Sequence, residues 1–219
     1  MSQMGIHLTT GLIGTNKKLF RKSYLGLGFL IGNIFPDLDF IFLIPLRFID
    51  RELSLLFHRS FTHSVFLVLF ILFIASLTRI LFKNNVYLFL FGLAIGISVH
   101  ILFDIFMWFS YVDFLWPLDK TISLYSNLDL PWFTPNIVSS FETACYGLFL
   151  LIFRKNYASQ DKHLKWIVFL LILLTIIQLP FAFFVRQELF EISAYGLGIT
   201  LGFSTSIYYL LKYRKALFS

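Results

Sequence analysis

Cysteine is nearly absent from this sequence, and its scarcity limits the kinds of site the chain can build. Cys145 is the only cysteine among 219 residues, and it lies in an apolar run. A disulfide framework and a thiolate zinc site are therefore both excluded within one chain. Any metal has to be bound by imidazole and carboxylate groups.

Charged residues are also scarce. They make up 14% of the chain, whereas 58% is apolar; a soluble domain has about 25% charged and about 45–50% apolar residues. The apolar excess, which includes 29 phenylalanines, has to face lipid. The net charge of +6 does not indicate a nucleic-acid partner, because the basic residues fall between apolar runs rather than along one face. Composition therefore predicts an integral membrane protein whose partner is the lipid bilayer.

Several apolar runs are long enough to span a bilayer, which takes about 20 residues per helix. They are Ser64–Phe82, Val86–Val112, Ile137–Phe153, Trp166–Val185 and Ile192–Leu211. A further run, Tyr24–Leu46, is interrupted by Gly32, Asn33, Pro36 and two aspartates, which predicts a discontinuous helix. The stretch Met4–Gly14 is too short to span and predicts a re-entrant or interfacial segment. The expected fold class is all-α: a polytopic transmembrane helical bundle with one broken or re-entrant N-terminal helix.

The chain has no internal repeat, low-complexity tract or linker, so we predict a single membrane-embedded domain over residues 1–219. Residues 1–142 form the half with the candidate metal site, and residues 143–219 form supporting transmembrane helices. Lysine and arginine are concentrated in alternate loops, which predicts cytoplasmic termini and an outward-facing loop Tyr111–Asn136. The expected location is a prokaryotic plasma (inner) membrane.

Acidic and imidazole residues from distant runs fall at a similar depth in this topology, towards the outer leaflet. They are Asp37, Asp39, His58, His63, His100, Asp104 and Glu142. An ionised aspartate at a helix centre costs on the order of 2.5–3.5 kcal/mol, and a divalent cation removes that cost by supplying the opposite charge. His100 and Asp104 are spaced i, i+4, so both project from one helix face. The pattern predicts a buried site for one or two zinc ions, with manganese or iron as alternatives.

Each residue alone has a simpler interpretation. Asp37 or Asp39 could cap a following helix. His100 and Asp104 could form a hydrogen-bonded pair or a proton relay, Glu142 could pair with an arginine, and the other histidines could be interfacial. The shared depth is what favours a common site.

The order of the motifs resembles that of a known family. An early His7, NIFPDLD at Asn33–Asp39, HRSFTHS at His58–Ser64, HILFD at His100–Asp104 and a later Glu142 resemble the YdjM-like family of membrane-bound metal-dependent hydrolases. That family is in turn distantly similar to zinc-dependent phospholipase C. Ser60 stands where the family usually has glycine, which affects only local loop geometry. The resemblance implies a metal site formed by His7, Asp37, Asp39, His58, His63, His100 and Asp104, with Glu142 as a further match.

The function expected from the residues and the resemblance is metal-dependent hydrolysis of an ester, namely a phosphoester of a lipid or lipid-like substrate. Asp37 or Asp39 would act as general base, and Arg59 would hold a phosphate oxygen. Thr62 and Ser64 would orient ligands. The alternatives are a membrane metalloprotease, a metal or proton transporter, and a scaffold that keeps metal for structure. The familiar H-E-x-x-H helix of metalloproteases and the inverted repeats of transporters are both absent.

Overall fold

The structure, a computed structural model, describes residues 4–15, 20, 23–39, 46, 49–50, 53, 60–82, 85–107, 112–118, 122–125, 127–190 and 196–218. The helices in these ranges are α1 (Met4–Thr15), α2 (Tyr24–Gly32), α3 (Val65–Leu81), α4 (Val86–Met107), α5 (Thr134–Tyr157), α6 (Lys162–Phe181), α7 (Gln187–Phe190), α8 (Gly196–Lys212) and α9 (Arg214–Phe218). Two short 3-10 helices cover Phe35–Leu38 and Phe61–His63. The described residues form no β-strand, so the predicted all-α fold class is confirmed.

The chain divides into two compact units. The central unit comprises Ile13–Leu128, and the terminal unit combines Gln3–Leu12 with Asp129–Ser219. A single domain over residues 1–219, divided at residue 142, stays a prediction.

Three helices of the described residues are long and apolar enough to cross a membrane, namely α4, α5 and α6. Helix α3 is equally apolar but has 17 residues, about 26 Å at a rise of 1.5 Å per residue. Its side chains Leu69, Phe70 and Phe73 are more than half exposed, an apolar surface that lipid covers without penalty. The predicted transmembrane helical bundle is confirmed, whereas the number of spans stays a prediction.

The predicted interruption of the run Tyr24–Leu46 is present. Helix α2 ends at Gly32. Pro36 lacks the N–H that would bond the carbonyl of Gly32, so the α-helix cannot continue. The chain turns and forms the 3-10 helix Phe35–Leu38; residues 40–45 lie outside the described residues. The break therefore falls immediately before the acidic part of the NIFPDLD motif.

Helices α3 and α4 form the buried apolar core of the central unit. Ser64 caps the start of α3 by accepting a hydrogen bond from the N–H of Phe66 (3.1 Å). The apolar faces of the two helices meet in one cluster of buried side chains, Leu67, Val68, Ile71, Ala94, Ile97 and Ile101. In water, burying each such side chain contributes roughly 1.5–3 kcal/mol to stability. In lipid this contribution is lost, because the surroundings are apolar as well, and tight packing of the side chains holds the two helices together.

The terminal unit contains helices α5, α6 and α8. Asp161 caps α6 by accepting a hydrogen bond from the N–H of Leu164 (3.0 Å), and its other oxygen accepts one from Lys212 Nζ at the end of α8 (3.0 Å). Burial raises the pKa of Asp161, but the hydrogen bonds and the lysine charge outweigh it and hold this pKa below its ordinary value of 3.8. Asp161 thus joins the start of one helix to the end of another.

Candidate metal centre

The close crossing of α2 and α4 determines where His100 lies. Glycines at positions 28, 32, 92 and 96 let the two backbones approach so closely that a Cβ on any of them would overlap backbone atoms of the facing helix. This is the small-xxx-small pattern typical of packed membrane helices. Because Gly96 packs on Gly32, the next turn of α4 brings His100 beside Asn33. His100 Nδ1 lies 2.8 Å from the carbonyl oxygen of Asn33.

The end of α2 leaves that carbonyl available. Asn33 is the C-terminal capping residue of α2, and its side-chain amide donates a hydrogen bond to the carbonyl of Phe29 (2.9 Å). The last carbonyls of a helix have no partner within the helix. The imidazole of His100 thus provides a donor for a carbonyl that the helix break exposes.

The apolar core between α3 and α4 brings His63 to the same place. His63 lies in the 3-10 helix just before α3, and Asp104 lies on the last turn of α4 one turn after His100. His63 Nε2 is 3.3 Å from Asp104 Oδ2 and 3.2 Å from His100 Nε2. Helices α3 and α4 are therefore antiparallel, with both imidazoles at one end of the pair.

Asp37 completes the group from the 3-10 helix that follows the break. Its Oδ1 lies 3.8 Å from His100 Nε2 and 3.9 Å from His63 Nε2. The distance from His100 Nε2 to Asp104 Oδ2 is 3.7 Å. We call Asp37, His63, His100 and Asp104 the four-residue cluster. All four side chains are at most 1% exposed.

The hydrogen-bonding partners of both histidines favour the tautomer with the proton on Nδ1. A backbone carbonyl can only accept, so His100 carries its proton on Nδ1. Thr62 donates its single hydroxyl proton to Asp39 Oδ2 (2.9 Å). Its oxygen can therefore only accept from His63 Nδ1, 3.0 Å away. Both imidazoles then present the lone pair of Nε2 to the centre of the cluster.

The cluster consequently brings acceptor atoms of two imidazoles and two carboxylates close together. With both aspartates ionised and both imidazoles neutral, it has a total charge of −2, which a divalent cation would neutralise. Burying such charges without compensation is expensive. Ligands bound at about 2.1 Å to a tetrahedral ion are about 3.4 Å apart, and the separations of 3.2 to 3.7 Å among His63, His100 and Asp104 bracket that value. These three residues can hold a metal ion, and their nitrogen and oxygen donors suit zinc, manganese or iron.

Asp39, Thr62 and Ser64 lie around this cluster rather than at its centre. Asp39 and Thr62 are partly buried; Thr62 contacts His63 directly, and Asp39 contacts Thr62. The hydroxyl of Ser64 donates to the carbonyl of Trp116 (2.5 Å) and caps α3. That Asp39 is a metal ligand or general base stays a prediction.

His7 and Glu142 belong to the terminal unit. Glu142 is 1% exposed, and its Oε1 accepts a hydrogen bond from the N–H of Gly5 (2.8 Å) in the first turn of α1. A carboxylate at that position satisfies one of the unpaired donors of a helix N-terminus. His7 is 1% exposed and lies on α1. Their membership of the metal site stays a prediction.

Two further residues predicted for the site, His58 and Arg59, lie outside the described residues. Asn33 was not predicted as a site residue, although it lies within the NIFPDLD motif. Its carbonyl orients His100. The available signal was the spacing of the glycines on the two helices that cross there, which places the end of α2 beside α4.

The fold and the site together define a class: a helical membrane protein with a buried cluster of histidine and aspartate that can hold a metal ion. Comparison with known families gives the particular group. The profile of the YdjM inner membrane protein family matches residues 2–189, and the chain belongs to that family. It is accordingly an integral inner membrane protein. No curated protein and no solved structure matches the chain.

Proposed function

We propose that this protein is a membrane-bound metal-dependent hydrolase that cleaves a phosphoester of a lipid or lipid-like substrate. The observation that carries the proposal is the convergence of three buried acceptor atoms, those of His63, His100 and Asp104, at separations of 3.2 to 3.7 Å that suit a divalent cation. Membership of the YdjM inner membrane protein family supports the membrane setting.

The ligand atoms divide the cluster into three residues and one. His63, His100 and Asp104 form one group whose ligand atoms lie 3.2 to 3.7 Å apart. Asp37, which lies 3.8 to 3.9 Å from the two imidazoles, is not a member of that group. Two histidines and one carboxylate are a common ligand set of hydrolytic zinc, whose fourth position is left for water or substrate. We therefore assign His63, His100 and Asp104 as ligands of a single ion. Asp37 is the carboxylate left for acid–base chemistry.

Each group at the proposed site has a separate role. The ion, when bound, polarises an ester oxygen and makes water more acidic. Asp37 accepts a proton from the attacking water and returns it to the leaving oxygen. The near-complete burial of the cluster keeps bulk water away and strengthens each charge interaction. Arg59, if it reaches the site, holds a phosphate oxygen through its planar guanidinium.

A lipid substrate follows from the membrane setting. A cluster inside a helical membrane protein is reached more readily from the bilayer than from bulk water. A position near the outer leaflet, as the distribution of basic residues predicts, suits a lipid that enters sideways. We infer a phosphoester as the bond that is cleaved from the similarity of the motifs to those of metal-dependent hydrolases.

Metal content is the first test. Protein purified in detergent is analysed for bound metal, and we expect about one zinc, manganese or iron per chain. His100→Ala should lose that metal, whereas Asp37→Asn, which keeps all three proposed ligands, should bind it more weakly and still be loaded when zinc is supplied in excess. His163→Ala is the matched control, because His163 is exposed on the first turn of α6. Metal retained in full by His100→Ala contradicts the site.

Turnover is the second test, and it separates the alternatives. The metal-loaded protein is given a fluorescent phospholipid in mixed micelles and, separately, a fluorescent peptide, and zinc flux is measured in liposomes. We expect chelator-sensitive cleavage of the phospholipid that Asp37→Asn abolishes while its metal remains. Peptide cleavage would identify a protease, flux without cleavage a transporter, and bound metal with neither a structural site. Each of these three results overturns the proposal.

A further inference from the structure

The partly buried carboxylate of Asp39 is connected to the cluster through one hydroxyl. Asp39 Oδ2 accepts from Thr62 Oγ1 at 2.9 Å, and Thr62 Oγ1 faces His63 Nδ1 at 3.0 Å. The chain of contacts therefore joins the end of the 3-10 helix Phe35–Leu38 to the 3-10 helix before α3. It meets His63 on the nitrogen that faces away from the cluster.

The direction of these hydrogen bonds has a chemical consequence. An ionised carboxylate only accepts, so the hydroxyl proton of Thr62 is used on Asp39. The oxygen of Thr62 is then left as an acceptor, which stabilises the proton on His63 Nδ1. Without Asp39 the same hydroxyl could donate to Nδ1, and the proton of His63 would move to Nε2, where it would block a metal.

A backbone carbonyl, rather than a side chain, favours the Nδ1–H tautomer of His100. Its Nδ1 faces the carbonyl of Asn33 at 2.8 Å, and that acceptor cannot change direction. The two histidines are thus oriented independently, His63 by two side chains and His100 by the backbone. Outer hydrogen bonds of this kind commonly determine tautomer and metal affinity.

We propose that Asp39 and Thr62 are positioning residues that keep His63 in the Nδ1–H tautomer, with Asp39 outside the metal's ligand set. This inference rests on the proposed metal site, and it assigns Asp39 a role other than the ligand or general base expected from the sequence. Removal of either residue should weaken metal binding about tenfold to a hundredfold rather than abolish it.

The test reads the tautomer directly in metal-free protein, without turnover. All five histidines of the chain are labelled with ¹⁵N and examined by long-range ¹H–¹⁵N correlation. The signals of His63 and His100 are assigned from variants in which one histidine at a time is replaced. In the wild type we expect both His63 and His100 to carry Nδ1–H. In Thr62→Val and Asp39→Ala, His63 should shift towards Nε2–H while His100 stays unchanged.

Zinc affinity, measured by competition with a chromogenic chelator, is the second readout. Thr62→Ser keeps the hydroxyl and should restore both tautomer and affinity. Thr78→Val makes the same chemical change on α3, where the hydroxyl bonds only the carbonyl of Ile74, and should alter neither.

Two results overturn the inference. One is an unchanged His63 tautomer in Thr62→Val together with zinc affinity within twofold of the wild type. The other is complete loss of zinc in Asp39→Ala, equal to that in His100→Ala, which would make Asp39 a ligand. Absence of hydrolysis would refute the proposed function and leave these signals as they are.

Discussion

Replacing Asp104 by asparagine should have opposite effects on the metal-free and the metal-bound protein. Asp104 Oδ2 lies 3.3 Å from His63 Nε2 and 3.7 Å from His100 Nε2. Without metal these atoms are all acceptors. An asparagine amide can donate a hydrogen bond to one of them, and such a bond contributes about 1 kcal/mol. The substitution also removes a buried charge, whose burial costs on the order of 2.5–3.5 kcal/mol. The metal-free variant should therefore be at least as stable as the wild type.

Zinc binding should change in the other direction. The substitution lowers the charge of the cluster from −2 to −1, so a bound divalent ion leaves one positive charge uncompensated. At about 2.5–3.5 kcal/mol for that charge, the Kd rises by about two orders of magnitude. At free zinc about 100 times the wild-type Kd, binding stabilises the wild type by about 2.7 kcal/mol. The variant is then near its own Kd and gains only about 0.4 kcal/mol.

Thermal unfolding in detergent, first with chelator and then with buffered zinc, measures both effects on the same samples. Asp129→Asn is the matched control, because Asp129 is exposed and should leave both Tm values unchanged. Two results would contradict this expectation: metal-free Asp104→Asn melts several degrees below the wild type, or zinc raises the Tm of both proteins equally. Either result would mean that Asp104 is stabilised by something other than a cation.

Two other substitutions test the scaffold around the cluster. Gly96→Ala places a Cβ against the backbone of α2, which should cost about 1–3 kcal/mol and weaken zinc binding by moving the Asn33 carbonyl away from His100. The control Gly147→Ala, whose Cβ would meet its nearest neighbour at 3.6 Å, should not lower the Tm, because alanine suits a helix interior better than glycine, and should leave chelator competition unchanged. The pKa of Asp161 is lowered in the folded protein, so the stability that this carboxylate contributes is present above its ordinary pKa of 3.8 and is lost as the pH falls through the folded pKa. Between about pH 6 and about pH 3, the Tm of Asp161→Asn should therefore fall less than that of the wild type.

The helices follow from the sequence because membrane helices are specified by local composition. The apolar run Val86–Val112 predicts α4, which covers Val86–Met107; residues 108–111 lie outside the described residues. The short run Ile137–Phe153 is extended at both ends into α5, because flanking residues such as Pro135 suit a first turn. The interruption before Asp37 was equally predictable, since it depends only on a proline.

The central part of the site was predictable for a similar reason. His100 and Asp104 share a helix face by spacing alone, and the cost of burying charge in lipid indicates that such residues meet. The outer contacts were not predictable in this way. The hydrogen bond from Thr62 to Asp39 depends on the paths of two 3-10 helices, and that from His100 to Asn33 depends on how closely two helices cross. Sequence spacing identifies which residues can share a face, but not which carbonyl lies opposite.

The break after α2 has two consequences that make this site possible in a membrane. An uninterrupted helix would hydrogen-bond the carbonyl of Asn33 internally, and His100 would lose the acceptor that fixes its tautomer. It would also carry Asp37 along the helix axis instead of turning it towards α4. In lipid such an irregular backbone is tolerated only where protein covers it, and here the glycine-lined crossing with α4 provides that cover. The residues that interrupt the helix therefore both expose an acceptor for one ligand and deliver another carboxylate. This accounts for a proline and two aspartates within a stretch otherwise apolar enough to span the bilayer.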